Sequence, residues 1–177
     1  MTTAPTSIDD LLALLTRGDR AFDEPALDAL AHALQCGALL RAEYPGDGEL
    51  AVAGLVHDIS DIADPANHRN HEGRGARLVA PLLGARVARL VGAHVVAKRY
   101  LVATDPSYGA ALSNRSTETL ADQGGPLDET ELARLRADAD LDAILALRCA
   151  DERAKVPGAR VPGLDTWRPL LVGVARA

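Results

Sequence analysis

The chain has 177 residues, 47% hydrophobic and 25% charged, with a net charge of −6 at pH 7. That length reads as a single domain over residues 1–177, able to bury about two-thirds of its unfolded surface. The acidic balance argues against a general nucleic-acid binder, because phosphate contacts need a basic surface. No apolar run approaches the ~18–20 uninterrupted residues of a membrane span, and residues 1–10 carry no basic n-region, so neither a membrane segment nor a signal peptide is expected. Cys36 and Cys149 lie far apart and form no Cys-x-x-Cys, as suits buried free thiols in a cytoplasmic protein. Lysine appears only at Lys98 and Lys155 among 19 basic residues, so each lysine is a candidate for a chemical role.

In chain order, Ile8, Leu11, Leu12 and Leu15 predict a short amphipathic helix to Thr16, stopped by Gly18. Asp19 to Glu24 reads as a polar loop around Phe22. Pro25 fits the first turn of a helix to about Tyr44, carrying His32. After the turn signal Pro45-Gly46-Asp47-Gly48, residues Glu49 to Ile59 are apolar nearly all round and predict a buried helix. Ser60 to Arg69 reads as a polar loop. His71 opens a helix that Gly84 interrupts and Arg86 to Val102 continues, bearing His94 and Lys98. Ser113 is an N-cap for a helix through Asp122, closed by Gly124-Gly125-Pro126. Asp128-x-x-Glu131 begins another in capping-box style, and Leu141 to Lys155 forms the last long helix. The tail 156–177 holds Trp167, expected to pack back on the body. No convincing strand is found, and the class is all-α.

The adjacent pair His57-Asp58 ends an apolar run, where an imidazole and a carboxylate can face one divalent metal, or the carboxylate can bridge two. His32, His71, His94 and Asp151 each sit on a segment of their own, as in bundles that assemble a metal site from several helices. Four imidazoles and two carboxylates suffice for two metals, a mixed N/O set suited to iron or manganese and able to hold zinc. Singly, each histidine is compatible with a satisfied core residue; the joint pattern favours the metal site. Lys98 lies one turn after His94 and shares its face. Ser116, Thr119 and Gln123 form an i, i+3, i+7 polar stripe, and Arg148 shares a face with Asp151. A solvated stripe with surface ion pairs is the plain alternative. Beside a metal site, the same groups make an oxyanion pocket for a phosphate or phosphonate. His68, in the polar loop, reads as a surface residue.

These stretches resemble the HD-domain superfamily, and within it the diiron oxygenase branch that cleaves carbon–phosphorus bonds. The likeness rests on His32-Ala33-Leu34-Gln35, Leu55-Val56-His57-Asp58-Ile59, His71-Glu72-x-x-Gly75-Ala76, His94-Val95-x-Ala97-Lys98, Asp105-Pro106-x-Tyr108, Ser116-x-x-Thr119-Leu120-x-x-Gln123-Gly124-Gly125-Pro126 and Asp151-x-x-Ala154-Lys155. The block from His94 to Gly125 is specific to the branch, whereas His-Asp alone marks only the superfamily. The resemblance implies an HD-domain helical bundle with two iron ions held by His32, His57, Asp58, His71, His94 and Asp151, Asp58 bridging. It implies a mixed-valence Fe(II)/Fe(III) pair, O2 as co-substrate, and a small 1-hydroxyphosphonate held by Lys98, Ser116, Thr119, Gln123 and Arg148, then converted to a carboxylate and inorganic phosphate.

The chain departs from the family in two places. Ser60-Asp61 stands where the family reads Gly-His, so Asp61 joins Asp58 and Lys98 as a candidate catalytic residue. In the loop before His32, amino-substrate relatives carry a Tyr and, three residues on, a Glu; here Phe22 and Glu24 stand two apart. Phe22 offers no oxygen to a metal, and Glu24 is the candidate contact for a substrate ammonium. A metal-dependent phosphohydrolase is the alternative activity, since its minimum needs only His32, His57-Asp58 and Asp151. A non-catalytic relative is a third reading, opposed by the intact set of six.

Overall fold

The computed structural model describes residues 3–20, 22–24 and 26–175, with the side chains of residues 20, 22–24 and 115 outside that description. The described elements are α1 (Ile8–Thr16), β1 (Phe22–Glu24), β2 (Leu27–Asp28), α2 (Ala29–Glu43), α3 (Gly48–Val56), α4 (Ile59–Ala63), α5 (His71–Thr104), α6 (Pro106–Ala111), α7 (Asn114–Asp122), α8 (Glu129–Arg136), α9 (Leu141–Arg153) and α10 (Arg168–Val174). Single 3-10 turns cover Arg17–Arg20 and Leu164–Trp167. The fold is an all-α bundle.

Caps explain where most of these helices begin. Ser7 with Asp10, and Asp128 with Glu131, form reciprocal capping boxes at α1 and α8. Asp28, Asp47, Asp105 and Ser113 each accept a hydrogen bond from a backbone N–H in the first turn of α2, α3, α6 and α7. The Asp28 cap explains why α2 starts four residues later than Pro25. The chain ahead of it is extended, with Phe22 paired to Asp28 and Glu24 to Leu27 in a small antiparallel ladder. Among the described residues that ladder is the one pair of strands, β1 in a stretch read as loop and β2 in one read as the start of a helix; Pro25 lies outside the described residues. The short α4 occupies a segment read mostly as loop, and α6 one given no helix. Ile59, Ile62 and Ala63 are buried, which is what draws α4 into the core.

Helix α3 ends at Val56 instead of running on to Ile59. His57 is its C-cap, and Asp58 sits at φ −102, ψ 19 before the chain turns into α4. α5 is two helices joined at Gly84, whose φ of 85 and ψ of 175 lie outside the reach of most L side chains. By length and composition His71–Thr104 could cross a membrane, but half of its most apolar stretch is buried inside the molecule. It is a core helix.

The core gathers leucine, isoleucine and valine from α1, α2, α3, α5 and α9, with Leu40, Leu55, Leu83, Leu90, Ile144 and Leu147 fully enclosed. Glycines bring α2 and α3 together: a Cβ on Gly54 would stand 2.5 Å from Leu40 Cδ1 and 3.3 Å from Gly37 Cα. Trp167 seats the tail as expected, fully buried, its ring edge over Gly37 and the Arg41 guanidinium 5.7 Å from its centroid. Both cysteines are free, Cys36 buried and Cys149 partly so.

Candidate metal centre and oxyanion pocket

The six residues singled out in the sequence converge from three helices and one joint: α2 gives His32, the break between α3 and α4 gives His57 and Asp58, α5 gives His71 and His94, and α9 gives Asp151. They form two groups, each with its donor atoms clustered tightly enough for one ion: His32, His57 and Asp151, and then Asp58, His71 and His94. In the first, His32 Nε2 lies 3.2 Å from His57 Nε2 and 3.3 Å from Asp151 Oδ1. In the second, His71 Nε2 and His94 Nε2 are 2.9 Å apart, and each is 3.6 Å from Asp58 Oδ1. Asp58 turns its other oxygen toward the first group, with Oδ2 3.2 Å from His57 Nε2. One carboxylate thus faces both groups, one oxygen to each.

The outer ring nitrogens decide what these groups can hold. His32 Nδ1 is 3.1 Å from the Ala154 carbonyl, His57 Nδ1 is 2.8 Å from that of Gly54, and His94 Nδ1 is 2.7 Å from that of Val91. A carbonyl only accepts, so each Nδ1 carries the proton and donates it, leaving the Nε2 lone pair pointing inward. His71 Nδ1 faces the Glu72 carboxylate at 3.5 Å, a partner of the same kind. The inward Nε2 atoms of each pair stand only 2.9 and 3.2 Å apart, so each pair needs a shared cation, a proton or a metal, and Asp151 and Asp58 raise His32 and His57 against their burial. The donor set fits a pair of divalent metals with imidazole and carboxylate ligands.

Electrostatics says the same from the other side. Burial opposes charge on Asp58 and Asp151, yet both are held well below the usual carboxylate range, Asp58 chiefly by His57 and Asp151 by Arg148 with His32 and His57. Buried carboxylates at this density require positive charge among them. Burial, reinforced by the charge of His71, takes His94 down to about 3, so it stands neutral, as a metal ligand must.

A cavity of about 90 Å³ opens beside the second group. Its wall holds Asp61, Lys98, Ser116, Thr119, Gln123 and Arg148, all of them read from the sequence as site residues. Lys98 is only 4% exposed, and its Nζ donates to Thr119 Oγ1 at 2.8 Å and to the Ser116 carbonyl at 3.2 Å. Burial, helped by the Arg148 charge, lowers its pKa to about 8. Gln123 Oε1 is buried without a hydrogen-bond partner, an acceptor left for a ligand donor such as a hydroxyl. Asp61 is raised by burial and by Asp58, and its Oδ2 lies 3.2 Å from His68 Nδ1. The side chain of Glu24 lies outside the described part of the structure.

Four more residues belong to this site that were not assigned to it from sequence. His68 is exposed, as read, but it also lines the cavity mouth. Tyr108 accepts a hydrogen bond from Arg148 Nε at 2.6 Å, and burial raises its phenol to about 12, so it stays protonated. Glu152 pairs with Arg148 and accepts from Ser116 Oγ at 2.9 Å and Ser113 N at 2.7 Å. Lys155 lines the cavity, its Nζ 3.0 Å from Ser113 Oγ and 3.2 Å from Ser116 Oγ. Only for Lys155 was there a usable signal, the rarity of lysine. An Arg and a Glu four apart on a helix look like any surface pair.

A helical bundle with paired His/Asp groups in its core has the HD-domain architecture. No protein-family model matches the sequence. It is, however, 33% identical over 159 residues to the [1-hydroxy-2-(trimethylamino)ethyl]phosphonate dioxygenase (glycine-betaine-forming) of Leisingera caerulea, covering 85% of this chain and 80% of that protein. It is 31% identical over 169 residues to the hydroxymethylphosphonate dioxygenase of Gimesia maris, covering 90% of this chain and 84% of the relative. The chain belongs to the phosphonate dioxygenase branch of the HD-domain oxygenases.

Proposed function

We propose that this protein is an O2-dependent diiron oxygenase that cleaves the carbon–phosphorus bond of a small 1-hydroxyphosphonate, giving a carboxylate and inorganic phosphate. The observation that carries this reading is the adjacency of two tautomer-fixed His/Asp groups, sharing Asp58, to a cavity lined by buried cations, hydroxyls and an unsatisfied amide oxygen. His32, His57 and Asp151 would hold one iron and His71 and His94 the other, with Asp58 between them. An Fe(II)/Fe(III) pair would supply the redox chemistry that O2-dependent oxidation of C1 requires. The reaction balances with one oxygen atom of O2 in the carboxylate and the other in phosphate.

The chain's own groups do the rest. Lys98, Thr119, Ser116 and Gln123 bind and orient the phosphonate, and Arg148 places Asp151 while adding positive charge. Asp61, raised by its burial and by Asp58, lies at the cavity wall with His68 as its partner, placed to take up and release a proton there. Glu24 is the proposed contact for an ammonium at C2, while Phe22 cannot act as a metal ligand. Substrates without an amine are therefore expected to be used at least comparably with those that carry one. Turnover of paired substrates by wild type and Glu24→Gln checks this, and an amine preference that disappears in the variant would reverse the assignment. Cytoplasmic placement is part of the proposal and agrees with two free thiols.

The experiment is anaerobic loading with Fe(II), followed by phosphate release from a panel of 1-hydroxyphosphonates and phosphoesters with and without O2. Release from the phosphonates only, and only with O2, is the expected result. O2-independent release from phosphoesters would make the protein a metal-dependent phosphohydrolase instead.

A further inference from the structure

Only two of the 19 basic residues are lysines, and both line the same cavity beside the metal groups. They come from different helices and bracket the same residue. Lys98, on α5, donates to the Ser116 carbonyl and to Thr119; Lys155, just past the end of α9, donates to Ser116 Oγ at 3.2 Å and Ser113 Oγ at 3.0 Å. Lys155 also faces Glu152 at 3.5 Å, and its side chain is 13% exposed. A solvated surface lysine would sit free of such a cage.

Arg148, by contrast, is committed. Its Nε donates to Tyr108, Nη1 pairs with Asp151, and Nη2 pairs with Glu152 and reaches Ser116 Oγ at 3.1 Å. A planar guanidinium holds its donors in a fixed fork, so this set of partners fixes it in place. An ammonium has three rotatable donors and can turn from a hydroxyl to a ligand oxygen without moving its stem. A phosphonate has three oxygens, more than Lys98 alone can neutralise.

We propose that Lys155 is a second phosphonate-binding cation, acting with Lys98 from the opposite side of Ser116, with Arg148 serving chiefly to position Asp151 and Ser116. The inference rests on the oxygenase reading, in that it takes the cavity to be a phosphonate site. Glu152 holds the Lys155 ammonium near the wall until a ligand arrives, since the same carboxylate also fixes Ser113 and Ser116.

The test is calorimetric titration of the metal-loaded protein with methylphosphonate, which lacks the 1-hydroxyl and so reports binding without turnover. Lys155→Gln and Lys155→Met should each raise Kd about ten-fold or more, as loss of a charge-assisted contact does, with metal content and Tm close to wild type. Lys155→Arg, which keeps the charge, should recover much of the affinity. If Lys155→Gln proves unstable, Lys155→Met and Lys155→Arg still give the comparison. Wild-type Kd in both neutral variants would overturn the assignment and leave the oxygenase reading intact. Wild type that does not bind methylphosphonate at all would overturn both.

Discussion

Lys98 shows what burial does to a single charge. With the side chain almost out of water and Arg148 nearby, the ammonium is pushed down to about 8, so near neutral pH it is charged but poorly solvated. A phosphonate oxygen would meet that charge well. Charge-assisted contacts of this kind contribute about 1.5–3 kcal/mol, so Lys98→Ala should raise the Kd for methylphosphonate roughly ten- to a hundred-fold and leave metal content unchanged. Equal affinity in the variant would move Lys98 out of the binding site. The sign of the pH effect follows from the lowered value: the cation is present below about 8 and lost above it. Phosphonate affinity in the wild type should therefore fall as pH rises through that range, and Lys98→Arg should remove the fall, because a guanidinium stays charged. The placement of Lys98 beside His94 in the cavity wall was legible from its one-turn spacing. Tyr108 and Glu152 were not, because their work is done on Arg148 across 40 and 4 residues, and only the folded chain shows which side chains share a guanidinium.

Between elements, the joints matter more than the helices. The helices themselves were largely readable from apolar periodicity and turn signals, with Ser113 and Asp128 marking two of the starts. What the periodicity concealed was the break at His57-Asp58. An apolar stretch from Glu49 to Ile59 predicts one buried helix, yet α3 ends at Val56, and Asp58 takes a bridge-region conformation that sets its two oxygens toward different histidine pairs. Periodicity reports burial, and both sides of this break are buried. The α2–α3–tail contact is likewise set by a joint. A Cβ on Gly37 would meet the Trp167 ring at 2.6 Å, and the indole is fully enclosed and has nowhere to go. Gly37→Ala should destabilise by about 1–3 kcal/mol through overpacking, lowering Tm by several degrees at this chain length. An unchanged Tm would show that the indole does not rest on this glycine.

At the scale of the whole molecule, the described helices enclose one continuous core, and we propose that residues 1–177 form one HD domain around a dinuclear centre. The centre is distributed: no element carries more than two of its six donors, and α5 carries His71 and His94 only because it runs 23 residues from one to the other. Metal content tests that distribution. Wild type should hold about two ions per chain, and His71→Ala or His94→Ala should lower this toward one, because the first group keeps its own three donors. One ion in wild type, unchanged in both variants, would reduce the site to a mononuclear one. The measurement that bears most directly on the function is the fate of 18O2. Iron-loaded protein turning over a 1-hydroxyphosphonate under 18O2 in ordinary water should give phosphate with one labelled oxygen and a carboxylate with one. Phosphate and carboxylate that both form without label, at the same rate when O2 is withheld, would mean that water attacks phosphorus and that the protein is not an oxygenase.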